Sequence, residues 1–148
     1  MKTPKKLNEE LIKILFSYWM GKLNINVFPI FRRLYEKKTI SQVQFVDESF
    51  KQAYISYNLK EFRLIPTSVG LGAIFHELGH LKFKHADKLS KIQQEYIAEK
   101  FALKCIKKYY PSLYKEFVLC GKKWLANKKN KKRLPLYYKT YSRIKEYK

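Results

Sequence analysis

All three histidines of this chain lie within residues 76–85, in the segment HELGHLKFKH. Two of them, His76 and His80, stand four positions apart, and Glu77 lies between them. On an α-helix, residues four positions apart share a face and lie about 6 Å apart along the axis. The two imidazoles then project side by side and can hold one metal ion. The spacing therefore predicts a helix through this segment.

The neighbouring residues predict the same helix independently. Pro66 ends a β-prone segment, and Thr67 or Ser68 is a suitable N-cap for a helix that runs to about His85. The face that carries the histidines is otherwise small or apolar and is expected to be buried. Its other members are Val69, Gly72, Ala73 and Phe83. Because buried imidazoles without partners cost free energy, this environment favours a metal site over a chance match.

The glutamate between the histidines indicates a catalytic metal. Zinc takes about four N, O or S ligands, and a catalytic zinc keeps one position for water. The metal lowers the pKa of that water toward about 7, and a nearby carboxylate can accept its proton as it attacks a carbonyl. On a helix, this pattern is the signature of zinc metallopeptidases. We therefore predict a Zn²⁺ cofactor, His76 and His80 as ligands and Glu77 as the general base.

A third protein ligand is not expected from the same helix. The position ten residues after His76, where some zinc sites place a third histidine, is Ala86. His85 is one residue short of that position and is not expected to reach the same ion. His85 has two interpretations: it caps the end of the helix, or it contacts the substrate or the oxyanion.

The next helix offers two glutamates four positions apart, Glu95 and Glu99. They share a face with Ala98 and Ala102, whose small side chains would let this helix approach the first closely. Glu95, earlier on the helix, is the predicted third ligand. Glu99, one turn later, is predicted to accept the outward N–H of His76 and so to fix its tautomer. The alternatives are that Glu99 is the ligand or that both glutamates are solvated surface acids.

The first part of the chain predicts a helix followed by a sheet. The helix begins after Asn8 and ends at Gly21, whereas residues 24–38 are ambiguous because Pro29 disfavours a strand interior. Three β-prone segments then follow, which predict a small antiparallel sheet. They are residues 40–46, 53–57 and 61–65.

The second part of the chain predicts mainly helices. A long helix is expected from about residue 89 to 109, and Pro111 separates it from another that runs to about 126. Residues 127–133 are predicted to be a solvated loop, and residues 135–147 a last basic helix. The order of elements predicts an α+β fold, and no linker divides residues 1–148, so they are predicted to form one domain.

The charge is strongly positive: 32 Lys and Arg against 12 Asp and Glu give a formal net charge of +20. Residues 121–148 contribute half of it, with eleven basic residues against one acid, Glu146. Such a field attracts nucleic acid, anionic membrane surfaces or acidic partners. This basic segment is a candidate nucleic-acid contact, mainly to phosphates because lysine dominates. The alternative is a compositional bias toward lysine that only solvates the surface.

No membrane span is predicted, since no segment reaches the roughly 18 apolar residues that a span requires. The beginning of the chain resembles a signal peptide only in part, because Glu9, Glu10 and Lys13 interrupt its apolar run. An amphipathic first helix and a cytoplasmic location are expected instead. Cys105 and Cys120 form no CxxC pair and are predicted to be reduced structural thiols on helices.

The two motifs together resemble those of a known class of enzymes. HELGH followed by EYIAEKFAL, residues 95–103, is similar to the gluzincin metallopeptidases, and above all to the ImmA/IrrE family. It is also similar to the catalytic core of the HtpX and CAAX-prenyl-protease family, whose membrane spans are missing here. The resemblance implies a zincin-like fold, zinc held by His76, His80 and Glu95, and Glu77 as the general base.

The resemblance covers roughly residues 40–110 and departs from the family pattern at two positions. Ile97 stands where these families often carry Glu, and Glu99 stands where they carry Asp or Asn. Proteins of the ImmA/IrrE type are often carried by phages and mobile elements, and they cleave or control repressors. The resemblance therefore implies a regulatory protease with a protein substrate.

Two functions from different classes follow. The first is a soluble zinc-dependent endopeptidase that binds a protein or peptide substrate in extended form along a sheet edge, at residues 54–57 or 62–65. The second is a nucleic-acid-binding or regulatory module whose zinc site is not catalytic. Glu77 would have no role in a non-catalytic zinc site, so its presence favours the endopeptidase hypothesis. Besides His85, the candidates for the oxyanion donor are Tyr137, Tyr138, Tyr141 and Arg143.

Overall fold

A computed structural model describes residues 2–36, 39–84 and 88–148 of the chain. Within these ranges the protein has three strands and seven α-helices, so the predicted α+β class is confirmed. The strands are β1 (Phe28–Arg33), β2 (Ser41–Phe45) and β3 (Gln52–Tyr57). The helices are α1 (Glu9–Lys22), α2 (Leu59–Leu64), α3 (Thr67–Phe83), α4 (Lys91–Tyr109), α5 (Pro111–Ala126), α6 (Lys129–Arg133) and α7 (Pro135–Ser142), followed by a 3-10 turn (Lys145–Tyr147).

The sheet is mixed rather than antiparallel. Its strand order is β1-β3-β2; β2 runs antiparallel to the central β3, whereas β1 runs parallel to it. The prediction of an antiparallel sheet is therefore wrong for β1, which lies in the segment that the sequence left ambiguous. Pro29 lies within β1, opposite Ala53. Proline is tolerated there because β1 is an edge strand, where a missing N–H need not interrupt the ladder.

The third predicted strand, residues 61–65, is wrong: most of it belongs to helix α2. Asn58 is the N-cap of this helix, and its side chain accepts a 3.2 Å hydrogen bond from the backbone N–H of Glu61. One apolar residue of the helix, Phe62, is buried, whereas Leu64 is 71% exposed. A capping asparagine and one buried face thus outweigh the β-propensity of the segment.

Two predictions about the last third of the chain also need correction. Residues 127–133, predicted to be a solvated loop, contain helix α6. Asn130 is buried there, and its amide donates a 2.8 Å hydrogen bond to the carbonyl of Trp124, which ties α6 to the end of α5. The last helix ends at Ser142 rather than near residue 147, and the 3-10 turn after it buries Tyr147.

Helix α3 begins at Thr67 with Pro66 as its N-cap, so neither Thr67 nor Ser68 caps it, contrary to the prediction. The Thr67 hydroxyl instead donates a 3.0 Å hydrogen bond to the carbonyl of Lys5. The Ser68 hydroxyl donates a 2.6 Å hydrogen bond to the carboxylate of Glu116. The start of α3 is therefore anchored to the N-terminal segment and to α5.

Helix α3 runs through the centre of the core. Eleven of its 17 residues are buried, because α1, α4, α5 and β2 all pack against it. From α1, Trp19 packs on Phe75, and its indole N–H donates a 3.2 Å hydrogen bond to the hydroxyl of Tyr110. A helix enclosed in this way holds its side chains in fixed positions, as a site with several convergent ligands requires.

Both cysteines lie on helices as free thiols, Cys105 buried on α4 and Cys120 half-buried on α5, as predicted. Burial raises the pKa of the Cys105 thiol to about 12, so this group stays protonated at neutral pH. Within the described residues, no helix combines the length and the apolar character needed to cross a membrane.

Candidate metal centre

The face of α3 that carries the histidines is buried along most of its length. Gly72 is buried, and Val69 and Ala73 are half-buried. Phe83, near the end of the helix, is 47% exposed and departs from the predicted stripe. The buried part of the face is the part that contains His76, which is 6% exposed.

Helices α3 and α4 touch closely beside the histidines. Gly79 of α3 faces the backbone of Ala98 of α4: a Cβ atom at position 79 would lie 3.1 Å from the Ala98 Cα. Ala98 and Ala102 are fully buried. Small residues on both helices thus permit the close approach that the sequence predicted. This approach brings Glu95 of α4 to the histidines of α3.

The three predicted ligands converge. Nε2 of His76 lies 2.7 Å from Oε2 of Glu95. Nε2 of His80 lies 3.2 Å from Nε2 of His76 and 3.2 Å from Oε1 of Glu95. One ligand atom from each residue lies within 4.8 Å of the other two. The group of His76, His80 and Glu95 could therefore hold a metal ion.

The donor set and its spacing fit zinc. Ligand atoms about 2.1 Å from a tetrahedral zinc stand about 3.4 Å apart, close to the 3.2 Å between the two imidazole nitrogens. Two histidines and one glutamate are also a ligand set of catalytic zinc sites. The group found among the described residues has three members, so a tetrahedral ion would keep a fourth position for water or substrate.

Glu99 makes the contact with His76 that the sequence predicted, and it has a further partner that the sequence did not reveal. Oε1 of Glu99 accepts a 2.8 Å hydrogen bond from Nδ1 of His76. Oε2 accepts a 2.5 Å hydrogen bond from the hydroxyl of Tyr147. Because Nδ1 faces Glu99, the imidazole presents Nε2 to Glu95 and His80. This arrangement favours Glu99 as a support for His76 over Glu99 as a ligand.

The two carboxylates act strongly on the His76 ring. Burial disfavours the charged form of this ring, but hydrogen bonds to Glu95 and Glu99 outweigh it and raise the pKa of the imidazole well above its ordinary value, so a metal ion that binds here would displace a proton from His76. Burial also opposes ionisation of Glu95, yet hydrogen bonds with His76 and His80 lower the pKa of this carboxyl. Glu95 is therefore ionised at neutral pH, which is the state that a metal ligand requires.

Glu77 is buried beside the ligands, at 8% exposure, and lines the same cavity as His76. Burial raises the pKa of its carboxyl, while the charges of His76 and His80 and a hydrogen bond with Ser41 act in the opposite direction. A carboxylate with a raised pKa is a better proton acceptor near neutral pH. The position and the electrostatics of Glu77 both suit a general base.

Two of the candidate oxyanion donors reach this cavity, namely Tyr137 and Tyr141. Tyr138 instead packs against Trp124, with ring centroids 6.3 Å apart. Burial raises the pKa of the Tyr137 hydroxyl, and the negative charges of Glu95 and Glu77 add to this shift. The hydroxyl of Tyr137 is therefore a protonated donor at neutral pH.

Of the other two candidates, Arg143 does not line the cavity. Arg143 lines a separate surface depression together with Tyr96 and Ile97 of α4. The prediction for His85 lies outside the described residues. Its two interpretations, helix cap and substrate contact, stay predictions.

Both predicted substrate edges are wrong. Residues 54–57 belong to β3, which pairs on both sides in the centre of the sheet, and residues 62–65 fall mainly in α2. Among the described strands, β2 is the edge strand that packs against α3. Ser41, its first residue, lines the cavity with His76 and Glu77. The edge near the candidate metal centre is thus β2.

The basic side chains of segment 121–148 are exposed. All eleven of its Lys and Arg residues are exposed. Across residues 2–36, 39–84 and 88–148, none of these eleven forms an ion pair with a carboxylate. Four of them lie together on α6: Lys129, Lys131, Lys132 and Arg133. This surface is available to an anionic partner.

The functional assignment depends on the geometry of the centre. Comparison of the chain with models of protein families, with curated proteins and with solved structures finds no match. The resemblance of HELGH and EYIAEKFAL to the ImmA/IrrE family is supported by none of these comparisons and stays a prediction.

Proposed function

We propose that this chain is a zinc-dependent endopeptidase with a zincin-like domain, similar to the ImmA/IrrE type of gluzincin. The observation that carries the proposal is the convergence of His76, His80 and Glu95, with a buried glutamate beside them. A structural zinc site would need a fourth protein ligand, commonly a cysteine. Cys105 and Cys120 both lie outside this group.

The residues of the centre have distinct tasks in this proposal. His76, His80 and Glu95 hold the zinc, and Glu99 orients the ring of His76. The zinc, when bound, supplies Lewis-acid polarisation of a substrate carbonyl and activation of water. Glu77 accepts the proton of the attacking water and delivers it to the leaving amine.

Strand β2 is the proposed docking edge for the substrate. Among the described strands it pairs only with β3, which leaves its other side for an added peptide strand. It packs against α3, and Ser41 at its start lines the cavity together with Glu77. A peptide that extends the sheet at β2 would pass beside the catalytic glutamate, held by its own backbone.

Tyr137 is the proposed donor to the oxyanion. It is half-buried and lines the cavity with His76 and Glu77. Since its hydroxyl stays protonated, it can donate a hydrogen bond to the negative charge that develops on the substrate carbonyl oxygen.

The test measures zinc content and peptide cleavage on the same samples. The wild-type protein is expected to bind about one zinc per chain, to gain thermal stability on binding it, and to cleave members of a random peptide library until a chelator is added. Glu77→Gln should retain zinc and lose about 10²–10⁴-fold in kcat. Glu95→Gln should lose zinc affinity.

Glu48→Gln, a change of an exposed glutamate in the turn after β2, is the matched control and should leave both measurements unchanged. Cleavage at wild-type rate by Glu77→Gln would overturn the peptidase assignment. So would a protein that binds no zinc at any concentration tested.

A second candidate function is nucleic-acid binding through the basic segment 121–148. The exposure of its eleven cations, without carboxylate partners among the described residues, favours this candidate. Binding should fall steeply with salt, survive Glu77→Gln, and weaken when the cluster on α6 is changed to Gln. A binding affinity that does not change with salt concentration would contradict this candidate function.

A further inference from the structure

We propose that the cavity beside the metal centre receives one large apolar side chain of the bound polypeptide and thereby selects the substrate. This inference rests on the proposed function, since it assigns a task to a cavity of the same site. Residues of α3, α5 and α7 line this cavity together with His76 and Glu77. A side chain bound there would belong to a residue next to the scissile bond.

The wall of the cavity is a connected set of aromatic rings. The rings of Trp124 and Tyr141 meet at 5.3 Å between centroids, and those of Tyr141 and Tyr147 at 5.7 Å. Phe117 joins the set through Tyr147, at 6.5 Å. Aromatic faces and edges contact apolar and aromatic groups favourably. The wall therefore suits a guest without charge.

The volume of the cavity matches a single side chain. It measures about 240 Å³. An apolar cavity of about 150 Å³ holds a benzene ring, whereas pockets for drug-sized ligands measure about 300–1,000 Å³. The side chain of Phe, Tyr, Leu or Met would fill a space of this size.

The described lining of the cavity offers little to an ionic guest. The residues that line it, all within the described ranges, include no Lys or Arg, and their only carboxylates are Glu77 and Glu99. Glu99 is already bonded to His76 and Tyr147. Among the described lining residues, an acidic guest would meet no cation, and a basic guest would find only Glu77, the proposed general base, not already bonded to His76 and Tyr147. The cavity thus selects by size and apolar character.

The first experiment profiles cleavage sites in a random peptide library. We expect Phe, Tyr, Leu or Met at one fixed position beside the cleaved bond, with kcat/KM about 10–100-fold above that of the matching Ala peptide. Val69 lines the cavity roughly 10 Å along α3 from His76. Val69→Phe should fill this space, remove the preference for large residues and spare the Ala peptide and zinc binding.

Leu119→Phe is the control for Val69→Phe, because Leu119 lies on α5 but is 47% exposed and outside the cavity lining. It should leave the preference intact. If Val69→Phe lowers cleavage of large-residue and Ala peptides by the same factor, the cavity does not select the side chain.

The second experiment uses the wild-type protein and does not depend on peptide cleavage. Cys120 lines the cavity, whereas Cys105 is buried elsewhere with a protonated thiol and should stay unmodified throughout, which reports that the fold is intact. N-acetyl-phenylalaninamide should slow alkylation of Cys120 by iodoacetamide several-fold, and N-acetyl-glycinamide should not. Mass spectrometry reports each thiol separately.

The outcomes separate this inference from the proposed function. Cleavage without any side-chain preference, together with unprotected Cys120, would overturn the inference and leave the peptidase standing. Protection of Cys120 in a protein that cleaves no peptide would overturn the peptidase and support the cavity as a site for an apolar side chain.

Discussion

The hydroxyl of Tyr147 donates a 2.5 Å hydrogen bond to Oε2 of Glu99. The other oxygen of this carboxylate accepts from Nδ1 of His76, a proposed zinc ligand. Tyr147, in the 3-10 turn after α7, therefore supports the proposed metal centre through one intermediate side chain, that of Glu99. Such supports usually fix the orientation and the basicity of a ligand.

Loss of this support should weaken zinc binding. We expect Tyr147→Phe to lower zinc affinity about 10-fold and Glu99→Gln to lower it about 10–100-fold, because each change removes a partner that orients His76. Competition with a chelator of known affinity measures both. Tyr138→Phe, on a ring that packs against Trp124, is the control. Equal affinities for Tyr147→Phe and the wild type would contradict the supporting role.

Gly79 should be required for the contact of α3 with α4. A Cβ atom there would lie 3.1 Å from both the Ala98 Cα and Phe101 Cδ1. Because backbone atoms must move, Gly79→Ala is expected to lower the free energy of unfolding by about 1–2 kcal/mol and to weaken zinc binding. Urea denaturation and zinc titration measure the two effects.

Gly21→Ala, a change of the other kind of helical glycine, is expected to have the opposite effect on stability. A Cβ atom at position 21 meets no atom within 4 Å, so this change should stabilise α1 by about 0.5–1 kcal/mol. A gain of stability in both variants would show that α4 accommodates an added methyl group.

Tyr137→Phe tests the oxyanion donor. The change removes one hydrogen bond that would form only in the transition state, so kcat is expected to fall about 10²–10³-fold. Zinc affinity should not change, because Tyr137 lies outside the ligand group. Steady-state kinetics on one cleaved peptide separates kcat from KM. A rise in KM alone would assign Tyr137 to substrate binding instead.

Glu9 should make stability depend on pH in the acidic range. Hydrogen bonds from Arg33, at 2.7 and 2.9 Å, and from Tyr57, at 2.8 Å, lower the pKa of Glu9 from 4.5 to about 2. A carboxyl with a lowered folded-state pKa contributes stability above its unfolded pKa and loses it as the pH falls through the folded value. The stability advantage of the wild type over Glu9→Gln should therefore shrink between pH 4.5 and about 2.

Urea denaturation at a series of pH values measures this advantage. Glu10→Gln, a change of the exposed neighbour in the same turn of α1, is the control. An advantage for Glu9 that stays constant across the acidic range would contradict the assigned pKa.

The ligand group could be predicted from sequence because it depends on short-range geometry. Helical spacing alone places His76 beside His80 and Glu95 on the same face as Glu99. The close approach of the two helices could also be predicted, because the alanines on α4 have small side chains that allow another helix to pack closely. Each of these expectations needs only the direction in which a helical residue points.

The parts that were missed depend on non-local packing or on competing local signals. The contact of Tyr147 with Glu99 joins residues 48 positions apart, and nothing in the spacing of the C-terminal tyrosines singles it out. The parallel pairing of β1 likewise requires knowledge of the whole sheet. Helix α2 is different: its local signals compete, because Asn58 is a suitable N-cap whereas the residues after it are β-prone.

The closeness of the ligands along the chain has a consequence for the stability of the fold. His76 and Glu95 are 19 residues apart, and the cost of closing so short a loop is small and grows slowly with its length. The helical hairpin α3–α4 thus contains all three proposed ligands. A bound metal would add its stabilisation to this hairpin, against which the aromatic wall of α5 and α7 packs.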